Sequence, residues 1–401
     1  MAKAVAYREK SRTSVGRWLN RNVAGMALAS FFSDFGHEMA TAILPMFLVS
    51  VGASAAALGI IEGAADAVSS FAKLGAGWLS DKRGLRKPIA VTGYLVTAVA
   101  TASFGLATSW THALAGRVVG WFGRGIRGPV RDALLADSIP AEATGRAFGF
   151  HRAADTLGAV AGPAVAFLLV GVLSYRQIFL LTLIPGLLSV LAFAFLVRER
   201  ARGANHALRF WSTMRGLPRS FRRFLVGVGI FGAGDFAHTL LILRASELLS
   251  LQTRPEVTAT MVVLLYTGHN ILYALASYPI GYLSDRMGKR GLLAAGYLLA
   301  AGMSLGFLLA TPSIWYLVLL FAIGGTYLAA EDTLEGAIAA DLLPEEVRGT
   351  GYGVLATVNG LGDFLSSVVV GFLWTAISPG AGFLYAAILS VVGGLVIVRL
   401  R

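Results

Sequence analysis

Apolar residues fall in twelve runs along the chain, each long enough for a helix to cross the roughly 30 Å hydrocarbon core of a bilayer, which takes about 20 residues. The runs lie near 23–49, 55–80, 88–107, 112–136, 147–171, 177–197, 223–249, 257–283, 291–311, 314–340, 348–375 and 382–399. A closed barrel is the other permitted spanning form. Its strands would alternate in polarity over about ten residues, whereas these runs are continuous. The pattern predicts an all-α membrane protein of twelve transmembrane helices. One long polar break, RERARGANHALRFWSTMRGLPRSFR at 198–222, divides them six and six. The organisation expected is a tail at 1–22, a six-helix bundle at 23–197, a basic linker at 198–222 and a second six-helix bundle at 223–401.

The two bundles are copies. GWLSDKRGLRK at 77–87 returns as GYLSDRMGKR at 281–290, an offset of 204 residues. The same offset carries Asp137, Pro140, Glu142 and Gly149 onto Asp341, Pro344, Glu346 and Gly353. A third echo, DFGH at 34–37 and DFAH at 235–238, has an offset of 201, so a three-residue indel separates it from the others. Anchors that share one offset identify a tandem duplication with about 200 residues in each copy.

Composition agrees with the pattern: 56% of residues are hydrophobic and 14% charged, outside the range of soluble globular chains. Basic residues set the orientation. Lys3, Arg8, Lys10, Arg12, Arg17 and Arg21 in the tail, Lys82, Arg83, Arg86 and Lys87 in the second loop and the arginines of the linker all lie on one side of a twelve-span topology. The opposite loops near 50–55, 108–112, 312–314 and 376–381 have no Lys or Arg, Arg176 and Arg254 being the exceptions on that side. Both termini are therefore expected in the cytoplasm. Topology accounts for the net charge of +12, and nucleic acid is not an expected partner. The absence of cysteine excludes disulfides and thiolate metal sites, and no signal peptide is expected at the amino end. In the linker, Phe210, Trp211 and Met214 among Arg209, Arg215 and Arg219 are compatible with an amphipathic helix on the inner leaflet or with a plain tether.

The segment 77–87 resembles the signature between the second and third helices of the major facilitator superfamily, Gly-x-x-x-Asp-(Arg/Lys)-x-Gly-Arg-(Arg/Lys). It matches at Gly77, Asp81, Lys82, Gly84, Arg86 and Lys87, with Leu85 added to the spacing. The echo supplies Asp285, Arg286, Gly288 and Arg290 where that family repeats the motif. Glycines let two helix ends approach, and the aspartate can pair with a cation on a neighbouring helix end or face its dipole. Such a latch holds one conformation and breaks in the other. Gly158-Ala-Val-Ala-Gly162-Pro163 in the fifth span resembles the Gly-x-x-x-Gly-Pro element of the superfamily's proton-coupled exporters; its physical content is small-residue packing and a proline bend. The second copy has Gly362, Ser366 and Ser367 at these positions, so the element is not duplicated. Arg117 resembles the family's Arg-x-x-x-Gly element of the fourth span, without its glutamine.

Charges inside the spans are costly and mark candidate sites. Arg117, Arg124 and Arg131 are seven apart, so each step turns only about 20° and the three share a face, with Arg127 beside them. Arg131 is grouped with the latch, paired with Asp81 or Asp132. Asp34 and Glu38 lie four apart around His37 in the first span, and Glu62 and Asp66 four apart in the second. Asp155, Asp235, His238, Glu331, Asp332 and Asp363 complete the set. The resemblance implies that helices 1, 4, 7 and 10 line a central cavity. Asp34, Glu38 and Asp235 are the candidate proton-coupling acids, because burial raises a carboxyl pKa, an adjacent arginine lowers it, and an arginine that moves between states would load and unload a proton.

The function these features imply is secondary transport by alternating access, a proton-coupled export of a small molecule resembling that of drug:proton antiporters. The protein is expected to be a monomer in a bacterial-type inner membrane, with no cofactor, no resident metal and no enzymatic activity. No Gly-x-x-x-x-Gly-Lys-Ser/Thr loop is present to drive it with ATP. Export of an anionic metabolite, siderophore or metal ion is the alternative, and a non-transporting receptor on the same fold is a second. Reporters fused to either terminus should read as cytoplasmic, and protease should cut the 198–222 linker only from the inside; an external terminus in a correctly inserted protein would overturn the twelve-span topology.

Overall fold

The computed structural model describes residues 18–51, 55–170, 172–199, 203–205 and 207–399, and the regular elements among them are all helical. The basic tail residues Lys3 to Arg17 lie outside them. The first half contains α1 (Arg21–Ser50), α2 (Ala55–Arg83), α3 (Arg86–Ala102), α4 (Trp110–Asp137) and α5 (Thr144–Val170), and its sixth pass is made of α6 (Tyr175–Leu181) and α7 (Leu183–Leu196). A short α8 (Phe210–Gly216) lies in the linker. In the second half the seventh pass is divided into α9 (Arg219–Gly232) and α10 (His238–Ser250). Then follow α11 (Pro255–Met287), α12 (Lys289–Leu308), α13 (Ile314–Leu342), α14 (Arg348–Ala376) and α15 (Pro379–Arg399). These make twelve passes in two six-helix halves. Seven of them are long and apolar enough to span a membrane on composition alone. Those outside that set, α1, α2, α4, the seventh pass and α11, hold much of the internal charge and histidine.

The seventh pass departs from the continuous run expected at 223–249. Gly227, Gly229, Gly232 and Gly234 lower helix propensity there, and the helical path stops at Gly232 and restarts at His238. Backbone groups freed inside a membrane need new partners. Ser366 Oγ donates to the carbonyl of Asp235 at 2.6 Å, and the amide of Ala237 donates to Ser367 Oγ at 3.0 Å. The two serines that replace the Gly-Pro pair in the second copy therefore hold the break together.

The halves meet along two helix pairs, α2 on α14 and α5 on α11. Glycines set the approach. A methyl group on Gly77 would lie 2.2 Å from the carbonyl oxygen of Gly349, and one on Gly281 2.2 Å from that of Gly145. These two contacts are related by the 204-residue offset. Within the first half Gly158 and Gly162 let α5 lie against the α1 backbone, where a methyl would come within 2.3 Å of Phe31 O and 2.4 Å of Phe35 O.

At one end of the seam the duplication builds a reciprocal clamp. Asp81 accepts hydrogen bonds from the amides of Gly349 (3.0 Å) and Thr350 (2.6 Å) and from Thr350 Oγ1 (2.9 Å), at the start of α14. Asp285 accepts from the amides of Gly145 (2.8 Å) and Arg146 (3.2 Å) and from Arg146 Nε (2.7 Å), at the start of α5. Each half thus places a carboxylate on the positive end of a helix of the other half, where free amides and the helix dipole favour an anion. Arg86, fully buried, joins the first copy by bonding Asp81 at 2.8 Å, Asp137, and the carbonyl of Glu345 at 3.1 Å. Arg348 adds a 2.5 Å bond to Asp137. In the second copy Lys289 takes Asp341 at 2.6 Å.

The turns between clamp helices need Gly84 and Gly288, whose φ angles of +66° and +99° favour a residue without Cβ. The motif cations Lys82 and Arg286, also related by the offset, lie over the rings of Trp78 (4.7 Å) and Tyr282 (4.3 Å). Lys87 contributes its amide, which donates to Glu199 at 2.8 Å. The linker docks on this end too, with Phe210 edge-on to Trp78 at 5.8 Å.

Asp81→Asn keeps one acceptor but removes the charge from both the helix end and Arg86. The substitution should shift the equilibrium by about 1 to 3 kcal/mol toward states open at this end. Spin-label distances between the clamp ends of α2 and α14 would show a new, longer population; an unchanged distribution would remove the clamp from the conformational cycle.

Candidate functional site

Between the halves lies a cavity of about 900 Å³ lined mainly by charged and polar side chains. On the first-half wall the arginines of α4 meet the acids of α1 and α5. Asp34 Oδ1 lies 3.3 Å from Arg124 Nη2 and 3.4 Å from Arg127 Nη2, just behind the surface of the cavity. Arg127 also donates to Ser33 Oγ and lies over the ring of Tyr94 at 4.3 Å. Arg117 and Arg124 share Trp121, their guanidinium carbons 3.7 and 5.5 Å from the ring centre. The indole N–H of Trp121 donates to Asp66 at 2.7 Å, and His37 rests against the same ring at 4.6 Å. Glu38, one turn beyond Asp34, faces the cavity 3.9 Å from His37.

A chain of ion pairs crosses the floor. Arg131 bonds Asp132 at 3.0 Å and Ser30 at 3.1 Å and lies 4.0 Å from Asp155. Arg152 lies 3.7 Å from Asp155 and reaches Asp332 of the second half at 4.0 Å. Asp332 in turn accepts from the hydroxyl of Tyr273.

The second-half wall is built around the break in the seventh pass. Asp235, in the gap, accepts from Tyr327 Oη at 3.0 Å, and the same hydroxyl lies 3.3 Å from His238 Nε2 at the start of α10. The rings of His238 and His269 are 5.0 Å apart. Glu335, behind the wall, accepts from Tyr297 Oη at 2.5 Å and from Asn359 at 2.7 Å. Glu331 is buried, and its Oε2 faces no donor. Among the described residues no group of three or more His, Asp and Glu could hold a metal ion.

The structure brings His37, Glu38, Asp66, Arg117, Arg124, Asp155, Asp235, His238, Glu331, Asp332 and Asp363 to one cavity. The side chain of Glu62 lies outside the described residues. Arg131, grouped with the latch from its sequence position, pairs with Asp132, one of its two expected partners, and lines the cavity, while Asp81 is occupied by Arg86 and by the α14 amides. The lining is also wider than helices 1, 4, 7 and 10: Lys73 of α2, Arg152 of α5, Tyr266 of α11 and Asn359 of α14 take part. Arg152 had a readable signal, three residues before Asp155 on one helical face. Tyr327, Tyr273 and His269 had none, since each bonds a partner more than 50 residues away or on another helix.

Two six-helix bundles joined by a seam of glycines around one charged cavity are the architecture of a membrane transporter. The family model of the Major Facilitator Superfamily matches residues 26–252 and again 226–401, and the chain belongs to that superfamily. It is 34% identical over 385 residues to an uncharacterised MFS-type transporter of Methanocaldococcus jannaschii, with 95% of each chain covered. It is 26% identical to a probable 4-methylmuconolactone transporter of Cupriavidus pinatubonensis, across 88% of this chain and 82% of that one. Among solved structures, the human organic anion transporter MFSD10 superimposes with a TM-score of 0.73 at 17% identity, over 94% of this chain and 99% of that one. That likeness is one of fold.

Tyr327 ties the interrupted segment to α13, so Tyr327→Phe should cost about 1 kcal/mol, the typical net value of one hydrogen bond. Amide exchange at 233–238 should accelerate while α13 itself stays protected. Equal exchange in parent and variant would mean that Ser366 and Ser367 alone hold the break.

Proposed function

We propose that this chain exports a small polar molecule across a bacterial-type plasma membrane in exchange for protons, with both termini in the cytoplasm. The observation that carries the reading is the junction of Asp34 with Arg124 and Arg127, a carboxylate on α1 whose counter-charges come from α4. A proton and an arginine compete for that carboxylate. With the cytoplasmic clamp closed, the cavity faces outward and Asp34 is ionised and paired. Protonation from outside releases Arg124, and re-formation of the pair after the clamp opens returns the proton to the cytoplasm. Glu38 and Asp235 are the other candidate coupling acids. Alternation rests on the clamp around Asp81 and Asp285, which must break for the cavity to face inward.

Export is supported by the resemblance of Gly158, Gly162 and Pro163 to the exporter element, and by where that element lies: it packs α5 against the α1 backbone on either side of Asp34. A cavity lined by so many charges suits a polar cargo better than a lipophilic drug. Transport of an anionic metabolite is the second reading, favoured by Arg117 and Arg124 over Trp121 and by the lactone named for the Cupriavidus relative.

Neutralising Asp34 leaves its volume and most of its hydrogen bonding in place. In everted vesicles the Asp34→Asn variant should lose proton-driven accumulation of cargo, while energy-independent exchange and binding persist. If it accumulates cargo against a gradient with the parental pH dependence, Asp34 is not the coupling acid, and Glu38 or Asp235 takes its place.

A further inference from the structure

The two walls of the cavity are unequally charged. All six lysines and arginines in its described lining, Lys73, Arg117, Arg124, Arg127, Arg131 and Arg152, belong to the first half. The second half contributes Asp235, Glu331, Asp332 and Asp363, with His238 and no lysine or arginine in the described lining. Much of the first-half charge is spent locally: Asp34 takes Arg124 and Arg127, while Asp132 and Asp155 take Arg131 and Arg152. Two basic groups reach across, Arg152 to Asp332 at 4.0 Å and Lys73, whose Nζ lies beside Gly360 of α14, one turn before Asp363.

No lysine or arginine pairs with Asp235 or Glu331 among the described ion pairs, and the imidazole of His238 shares the Tyr327 hydroxyl with Asp235. Tyr327, whose hydroxyl donates to Asp235 at 3.0 Å, stands one turn before Glu331 on α13, so both carboxyl groups face the same part of the cavity, and the leading charged influences on Glu331 are Asp235, Glu335, Asp332 and Asp363. Glu331 is 92% buried by its 8% exposure, lines the cavity, and has an oxygen that meets no donor. Two neighbouring carboxyl groups, one of them buried, are costly to keep both ionised and uncompensated. A proton or a cationic ligand must complete them. A nitrogen cation supplies several N–H donors to two carboxylates at once, and the aromatic groups Phe236 and Tyr266 in the same lining suit its apolar stem. The broken seventh pass presents Asp235 at this place instead of turning it along a continuous helix.

We propose that the cargo carries a basic nitrogen, an amine or guanidine charged at neutral pH, which docks between Asp235 and Glu331. The rest of the molecule then faces Arg117, Trp121 and Arg124, so a carboxylate or other acceptor at its far end finds donors there. The assignment rests on the transporter reading above and names the class of its cargo.

The test uses the purified full-length protein and a thermal-unfolding panel at pH 7, divided among alkyl amines and guanidines, amino acids, neutral polyols, and mono- and dicarboxylates. A compound that binds the folded state raises its melting temperature. Stabilising compounds should be confined to those with a cationic nitrogen. Their affinity should fall about ten- to hundredfold, the value of a charge-assisted hydrogen bond, in Glu331→Gln and separately in Asp235→Asn. Two substitutions keep the result readable if one of them does not fold. Stabilisation by carboxylates or polyols only, stabilisation by no amine, or amine affinity unchanged in both variants would each overturn the proposal. Binding is measured without a gradient, so it is independent of the vesicle result for Asp34: nitrogen-cation binding with no proton coupling would sink the export reading alone, and coupled export of a purely anionic cargo would sink this one alone.

Discussion

Each half of the protein places an aspartate on the amino end of a helix that belongs to the other half, and the assembly depends on this exchange. Asp81 meets the first amides of α14 and Asp285 those of α5. The carboxylates satisfy donors that the helices cannot satisfy themselves, and they do so across the one interface that has to separate. Without glycine at 77, 145, 281 and 349 the helix ends could not come close enough, because a Cβ at any of the four would overlap backbone or side-chain atoms across the seam. Close approach and charge placement are therefore a single device. Arg86 strengthens one copy of it by joining Asp81 to Asp137 and to Glu345, so the two ends of the device are alike in geometry and unequal in the number of charges they hold.

Duplication supplied the framework and divergence the site. Asp34 and Asp235 are echoes of one position, yet one meets two arginines in an unbroken helix and the other, at a break, meets a tyrosine hydroxyl that it shares with His238. The difference follows from the neighbours. Where the first copy has Gly162 and Pro163 packed against α1, the second has Ser366 and Ser367, whose hydroxyls replace the backbone partners of the missing turn. An intact helix beside Gly-Pro and a broken one beside Ser-Ser are two solutions to the same requirement, that no backbone polar group be left bare in hydrocarbon. The outcome is a cavity whose lysines and arginines, in the described lining, all lie on the first-half wall, among that wall's own acids, while the second-half wall carries acids without them.

The ion pairs along the floor connect these walls to the clamp. Arg131, Asp155, Arg152 and Asp332 run from α4 through α5 to α13, and α5 begins at the amides held by Asp285. A shift of α5 that opens the clamp also moves Arg152 relative to Asp332. One helix, α5, thus carries both an end held by the clamp and the Arg152 pair that joins the two walls of the cavity.

Some of this was legible without coordinates because it depends on local or periodic properties of the chain. Apolar run lengths set the number of passes, since any backbone in hydrocarbon must bond to itself. The 204-residue offset set the two-fold repeat, and the repeated Gly-Asp-Gly pattern marked both ends of the clamp. The acids and arginines stood out because a charge in a membrane span is rare. Other features depend on which side chains meet across the halves, and no spacing encodes that. Arg131 pairs with Asp132 and lines the cavity, while Asp81 has its partners from α3 and α14. Tyr327, Tyr273 and His269 became part of the site through bonds to residues far along the chain. The four glycines near Asp235 were visible in the sequence, but whether they bend, pack or break the seventh pass depends on Ser366 and Ser367, which meet the loose backbone from α14, more than 120 residues along the chain.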